Sequence, residues 1–563
     1  MVSKILKILN RDVTTMNQAA LVLAVFSLLS QMFGLLRDHL LASLVGPSAV
    51  LDVYYAAFRV PDFIYNSVAV LFSVTVIIPF ITHYLNDQEK HTSLKKFFDS
   101  IFSVYLGGMT IVCALAFVLM PYLTRLTAPG FSIIQQHDLV LYSRVMLLSP
   151  FLLGLSSLLG SFAQVQKKFF SFAIAPVFYN FGILIGVIVF RPVWGVFGVV
   201  LGVVLGALLY LVIQLPTLAS LQKLPSLTRS IDWQTIKKVM ALSLPRTLAS
   251  SLSNITFIII SAIASLLVAG SISVFQFSYN IQTTPLMIIG ISYAVAAFPT
   301  MNRLFAEKEI KSFVDLIHRA TRNIFFLSIP AAFFIIVLRA QIVRVLLGAG
   351  KFSWNDTRLV AASLALFAIS ITAQCMILLL VRGFYAMGNT KTPLKINILS
   401  VGVTALSSGI LLIFHHNNPM FRDFLDSLLR IEGTTGANIV LLSLAFSIGQ
   451  IVNACVLWRY FHRSIEGTTI ETSKLGQALF HTIGAGIIAS SAVYGTLLLI
   501  SGGVDQETFW GILIQGLVAG IVGLSLYGII LAALKNEDIG LFIETLKSKF
   551  WKQKPIVPQQ ADL

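Results

Sequence analysis

Apolar residues along this chain gather in runs of about 20 or more, separated by short polar stretches, a length that suits membrane-spanning helices. Fourteen runs can be drawn, at 19–46, 53–84, 100–123, 138–163, 171–190, 193–219, 244–268, 271–300, 320–338, 358–386, 393–415, 436–460, 478–500 and 511–534. The alternating ten-residue strands of a membrane β-barrel are not present in the pattern. The expected fold is therefore an all-α polytopic membrane protein with 14 transmembrane helices.

Composition agrees. Of the 563 residues, 56% are hydrophobic and only 11% charged, with a mean hydropathy of +0.86, whereas a soluble chain carries about 25% charged residues. The formal charge of +16 raises the question of nucleic acid, but its placement answers it. With the N-terminus inside, most Lys and Arg fall in the loops and tails on the side of the termini, the positive-inside bias. The charge thus records orientation and contact with anionic lipid, and no nucleic-acid partner is expected. The basic start, 1–18, lacks a small-residue cleavage site and reads as a retained cytoplasmic tail, as does 536–563 at the other end. Cys113, Cys375 and Cys455 are far apart in apolar runs and form neither a disulfide framework nor a metal site.

The chain also repeats itself at an offset of roughly 217 residues. LKKFFDSIF at 94–102 matches IKSFVDLIH at 310–318, and RLTAPGFS at 125–132 matches RVLLGAGKFS at 344–353. Asp138 and Asp356 open the next runs. Pro176 and Pro393 open those after, each with an Asn four residues on, Asn180 and Asn397. An even number of spans between copies gives both the same sense in the membrane, the parallel-repeat arrangement of rocking transporters. The expected domains are an N-lobe at 19–222, a C-lobe at 235–462, facing each other across a central cavity, and a final helix pair at 476–535.

Charges inside such runs are costly, about 2.5–3.5 kcal/mol each on insertion scales, and mark functional sites. Arg37 and Asp38 stand together in FGLLRDHLLASLVG. They read either as a self-neutralised pair with a snorkelling Arg or as a cavity cation suited to phosphate. Asp52, Tyr55 and Arg59 share one helical face ahead of a kinking Pro61. The plainer reading is a helix start capped by Asp52 and paired to Arg59. Arg246 follows Pro245 at a helix start, and Arg144 reads as a snorkelling residue. The glycines at 198, 202 and 206, and at 516 and 520, carry the spacing of close helix packing. GAGKFS at 348–353 fails as a phosphate loop because Val345 replaces its first glycine. No hydrolase motif is found, so neither enzyme activity nor a cofactor is expected, and an ion or substrate gradient would drive transport.

Several stretches resemble the MurJ (MviN) lipid II flippases of the multidrug/oligosaccharidyl-lipid/polysaccharide exporter superfamily: SQMFGLLRD at 30–38, VLDVYYAAFRVPDF at 50–63, VIIPFI at 76–81, LPRTLASSLSNI at 244–255, the run 270–301, and GFYAMGNTKTP at 383–393. The resemblance implies a bacterial inner-membrane flippase for peptidoglycan precursor, not an enzyme, with both termini cytoplasmic and a lipid-tail groove on the last two helices. It implies cavity arginines on helices 1, 2 and 8 that hold the substrate's pyrophosphate. Arg37 matches the second helix-1 arginine and Asp52 the acidic residue opening helix 2. Elsewhere the chain departs: Gln31, Tyr65 and Asn280 stand where the family carries cations, and Val70-Leu71-Phe72 replaces a polar stretch. The neutral groups still donate hydrogen bonds, without charge-assisted strength. The expected substrate site is Gln31, Arg37, Asp38, Asp52, Arg59, Tyr65, Arg246 and Asn280. The expected partners are the lipid-linked glycan, membrane lipid, a coupling ion and the cell-wall synthesis machinery. The rival readings are a flippase of O-antigen or capsule type, an ion-coupled drug antiporter, and a non-transporting scaffold.

Overall fold

The structure, a computed structural model, describes residues 16–68, 71, 91–165, 169–220, 225–465, 472–505, 508–536 and 539–540. Most of the two terminal tails, the stretch 76–81 and the departures at Val70 and Phe72 lie outside the described residues. Helix is the only regular secondary structure among those described.

In chain order the main helices are α1 (Met16–Leu44), α2 (Ala49–Ala57), α3 (Arg59–Ser67), α4 (His91–Thr127), α5 (Ile133–Met146), α6 (Leu148–Val165), α7 (Phe169–Ile185), α8 (Val196–Val212), α9 (Trp233–Ala264), α10 (Ser271–Pro285), α11 (Ser292–Ala306), α12 (Ile310–Leu347), α13 (Trp354–Ala368), α14 (Ile371–Ala386), α15 (Lys391–Asn417), α16 (Pro419–Leu429), α17 (Ile439–Arg463), α18 (Thr472–Ser501) and α19 (Phe509–Ala533). Ten helices are long and apolar enough to cross a membrane, or eleven when α13 and α14, bent by 45°, count as one span. Three of the fourteen predicted runs fall outside that number. The first contains Arg37, Asp38 and His39; the second is broken at Phe58 and partly undescribed; in the run at 244–268 the apolar helix found is Ser251–Ala264.

The breaks have identifiable causes. A proline inside a helix clashes with the carbonyl four residues back, and both Pro61 and Pro150 stand three residues after a break, at Phe58 and Leu147. Pro285 precedes a π-helical turn, Leu286–Ile291. Helices α4 and α12, which carry the matched segments 94–102 and 310–318, have 37 and 38 residues, and each is followed by a broken pair, α5–α6 and α13–α14. In the GAGKFS turn Gly350 takes a positive φ, and Lys351 N–H is already engaged, donating to Ser43 O at the end of α1.

Packing divides the chain into two units. The first holds the described parts of Met1–Thr284, Leu346–Phe367 and Asn389–Asn453; the second holds Pro285–Val345, Ala368–Gly388 and Ala454–Leu563. In the first, α7 and α8 meet along glycines. A Cβ on Gly202 would stand 2.5 Å from Gly186 Cα, and one on Gly206 would press as closely on Tyr179. The predicted packing role of Gly198, Gly202 and Gly206 is thus seen directly. In the second unit the roles shift. Gly516 and Gly520 have only ordinary contacts beyond 3.4 Å, and the tight glycine is Gly523, against Val493 and Phe334. There α12, α18 and α19 bury Phe326, Ala485, Ala489, Tyr527 and Leu531 together, with Tyr527 Oη donating to Phe326 O at 2.9 Å.

Candidate functional site

Helix α10 presents two kinds of surface. Phe275 and Tyr279 join Phe257, Phe367 and Phe446 in a cluster of edge-to-face and tilted rings, with centroids 4.8 Å apart for Phe257–Tyr279 and 5.0 Å for Phe275–Phe367. Such pairs are stabilising beyond their area, and they fix the helix about its own axis. Its other face, at i, i+4 and i+7, carries Gln276, Asn280 and Thr283. Asn280 and Thr283 meet the polar residues of α1.

Arg37 Nη2 lies 2.9 Å from Asp38 Oδ1, and its Nε donates to the same oxygen at 3.0 Å. Asn280 Nδ2 donates to Asp38 Oδ2 at 2.8 Å, and Arg37 Nη1 reaches Asn180 Oδ1 at 3.5 Å. Asn180 is held in turn by Ser30, its Nδ2 donating to the hydroxyl at 3.0 Å and the carbonyl at 3.2 Å. An ion pair buried without such extra bonds would not recover its desolvation cost. The side chain of Asp38 is 3% exposed and that of Arg37 is 20% exposed. The open part of Arg37 faces a cavity of about 190 Å³, lined also by Gln31, Gly34, Asn180, Asn280 and Thr283. Gln31 Nε2 donates to Thr284 Oγ1 at 3.3 Å. At about 30 Å³ per water, this volume takes a phosphate-sized group and not a whole sugar-peptide.

A line of amides leads away from the pair. Gln276 Nε2 donates to Asn280 Oδ1 at 2.8 Å, and Arg59 Nη2 donates to Gln276 Oε1 at 3.1 Å. Arg59 is buried, its Nε has no partner, and its Cζ stands 5.4 Å from the Phe257 ring centroid. It forms no ion pair among the described residues. The site therefore holds one cation in a direct ion pair and one that is buried without one, with the Asp62 carboxylate three residues on as its nearby opposite charge.

The other expected residues are elsewhere. Asp52 does not line the cavity. Its carboxylate accepts Gly270 N–H at 2.7 Å, Ser273 N–H at 2.8 Å and Ser273 Oγ–H at 2.6 Å, and so caps α10 from across the chain. The cap of its own helix is Ser48, and the break at Phe58 places Arg59 on a separate helix from Asp52. Tyr65 packs against the apolar cluster that includes Val60, Ile64 and Ile101 and does not line the cavity either. Arg144 donates to Phe117 O at 3.0 Å and lies over that residue's ring. The side chain of Arg246 lies outside the described residues. Sequence reasoning missed Gln276, Asn180 and Ser30. Neutral amides carry no charge signal, although the 276–280–283 spacing and the repeat-marking Asn180 could have found two of them.

The family model described as "Lipid II flippase MurJ" matches residues 41–514. The chain belongs to the MurJ family. A probable lipid II flippase MurJ of Rhizobium tropici is 25% identical over 92% of this chain and 94% of its own length. The lipid II flippase MurJ of Burkholderia cenocepacia is 25% identical over 70% and 78%. Among solved structures, a lipid II flippase MurJ in an inward-closed conformation matches with a TM-score of 0.70 at 19% identity, covering 92% of this chain and all of that one. An inward-facing multidrug MATE transporter of the MOP superfamily matches with a TM-score of 0.61 at 15% identity over 80% and 96%. These structural likenesses show that the MurJ-family chain shares their fold.

Proposed function

We propose that this protein flips lipid II, the lipid-linked peptidoglycan precursor, from the inner to the outer leaflet of the bacterial cytoplasmic membrane. The family match over residues 41–514 carries the reading. In this mechanism the halves 19–222 and 235–462 rock to expose a central site alternately to each side. The termini lie in the cytoplasm, in keeping with the charge asymmetry. Helices α18 and α19 run along the isoprenoid tail, which stays in lipid. A coupling ion drives the cycle, and cell-wall synthases receive the product.

The pyrophosphate is held by Arg37 and Arg59. Arg37 presents a guanidinium edge to the cavity, and Arg59 has an N–H without a partner. Together they stand in for the cations that the family resemblance implies at positions 31, 65 and 280. Gln31 and Asn280 add neutral donors. Asp52 supports the site by fixing the start of α10.

A second reading keeps the mechanism and changes the cargo to another polyprenyl-pyrophosphate-linked glycan. The neutral residues at Gln31, Tyr65 and Asn280 favour it. Complementation separates the two: the chain is expressed in a bacterium whose own lipid II flippase is shut off, beside Arg37→Ala. Growth with lipid II appearing outside, lost in Arg37→Ala, supports lipid II. Failure of a protein that reaches the membrane moves the cargo to the alternative, and a fully active Arg37→Ala overturns the site.

A further inference from the structure

Beyond the apolar run that ends near 415, the chain does not form a simple loop. Helix α16 folds there, 11 residues long, with both ends fixed. Asn418 Oδ1 accepts Phe421 N–H at 3.1 Å and Pro419 starts the first turn. At the other end Arg430 adopts a left-handed conformation and Ile431 N–H donates to Asp426 O. Arg358 of α13 clamps the end of this segment, its Nε donating to Arg430 O at 2.7 Å and Nη2 to Glu432 O at 3.1 Å.

Successive residues of a helix are about 100° apart, so α16 has three arcs. Phe421, Leu425 and Leu429 turn to the protein: the two leucines are buried, and the Phe421 ring lies 4.9 Å from that of Phe414. Arg422, Asp423 and Asp426 form the polar arc. Arg422 and Asp426 border an open recess of about 580 Å³, together with His415, Thr434 and Asn438. The third arc is Met420, Phe424 and Leu428, which are 84%, 62% and 60% exposed. Three large apolar side chains in one stripe call for a cover.

We propose that α16 lies in the membrane–water interface with its Met420–Phe424–Leu428 stripe inserted among the acyl chains. Continuity identifies lipid as the occupant. On α15, a membrane-crossing helix, Leu406, Ile410 and Ile413 are 68%, 63% and 64% exposed. That lipid face runs up to Phe414, which touches Phe421 across the turn. Trp354, exposed at the start of α13, is of the type that gathers at membrane interfaces, and α13 is the helix that clamps α16. A wet polar flank beside an apolar stripe is the layout of an interfacial helix. Arg422 and Asp423 face each other at 3.4 Å, so insertion comes from apolar area and not from attraction to anionic head groups. Such insertion requires that the chain be in a membrane and does not depend on what it flips.

The test uses the full chain with Cys113, Cys375 and Cys455 replaced by Ser, carrying either Phe424→Cys or Asp423→Cys labelled with an environment-sensitive fluorophore. It is placed in nanodiscs of phosphatidylcholine with no other protein. The label at 424 is expected to be quenched several-fold more by lipid bearing a nitroxide near the head group than by aqueous iodide, with the reverse at 423. Added phosphatidylglycerol or salt leaves the result unchanged. Equal iodide quenching at both positions overturns the proposal and marks the stripe as a surface for a protein partner.

Discussion

Asn280 donates its side-chain amide to the one oxygen of Asp38 that Arg37 leaves free, at 2.8 Å. The pair on α1 is thus completed from α10, and changes at position 280 act on Asp38 directly. Asn280→Ala leaves a buried carboxylate oxygen unsatisfied and is expected to cost about 1–3 kcal/mol. Asn280→Asp sets two carboxylates against each other and is expected to cost more. Asn280→Arg is expected to tighten binding of inorganic pyrophosphate. Thermal melts in detergent and a pyrophosphate titration read these effects.

Arg59 separates function from stability. It is a buried cation whose only side-chain hydrogen bond among the described residues is to Gln276, and removing such a charge for an apolar chain of similar length is often neutral or stabilising. Arg59→Met is expected to keep or raise the melting temperature while transport falls. A variant that melts well below the parent would assign Arg59 to structure.

Asp52 behaves in the opposite way. Asp52→Ala removes three bonds to the start of α10 and is expected to destabilise by about 4.5 kcal/mol or more, since bonds to charged groups are each worth roughly 1.5–3. Asp52→Asn keeps an acceptor and is expected to lose less. If transport fails in Asp52→Asn without a change in melting, the residue does more than cap.

The α7–α8 contact leaves no room for a side chain, with Gly186 Cα 2.5 Å from any Cβ on Gly202. Gly202→Val is expected to abolish folded protein in the membrane, whereas Gly516→Ala, with neighbours at 3.5 Å or beyond, is expected to fold. Yield of monodisperse protein in detergent distinguishes them.

Asp232 gives a pH test outside the spans. It caps α9, accepting the Thr235 hydroxyl at 2.7 Å and amide at 3.2 Å, and these bonds, the hydroxyl first, hold its carboxyl below the ordinary value of 3.8. A depressed folded value means that the cap contributes fully above pH about 4 and is lost as pH falls through the folded value. The melting difference between parent and Asp232→Ala is expected to be constant at neutral pH and to shrink only in strong acid.

Most of the helices were legible because burial in lipid demands long apolar runs. The breaks at Phe58 and Leu147 were half legible. Pro61 announced a kink, but its ring acts on the preceding turn, so the break falls upstream. Of the site, Arg37, Asp38, Gln31 and Asn280 were found through charge and resemblance. Asp52 was misplaced, because helix periodicity gives a face but cannot tell whether a cavity or another helix's amides lie opposite. Gln276 was missed because its importance comes from standing between Arg59 of α3 and Asn280 of α10, a relation between two elements that its own uncharged side chain does not announce. Helix α16 was missed because an 11-residue amphipathic stretch is too short to register as a span.

The carboxylate of Asp52 also bears on how the chain assembles. It precedes Gly270 by 218 residues, yet it supplies the start of helix α10, through Gly270 and Ser273. The early and late parts of the chain are therefore not independent at this point. A gene split between residues 222 and 235 would yield a second fragment whose helix α10 begins with bare amides until the first fragment arrives. During synthesis, the waiting partner is the half already made, so the order of translation is also the order in which the cap becomes available.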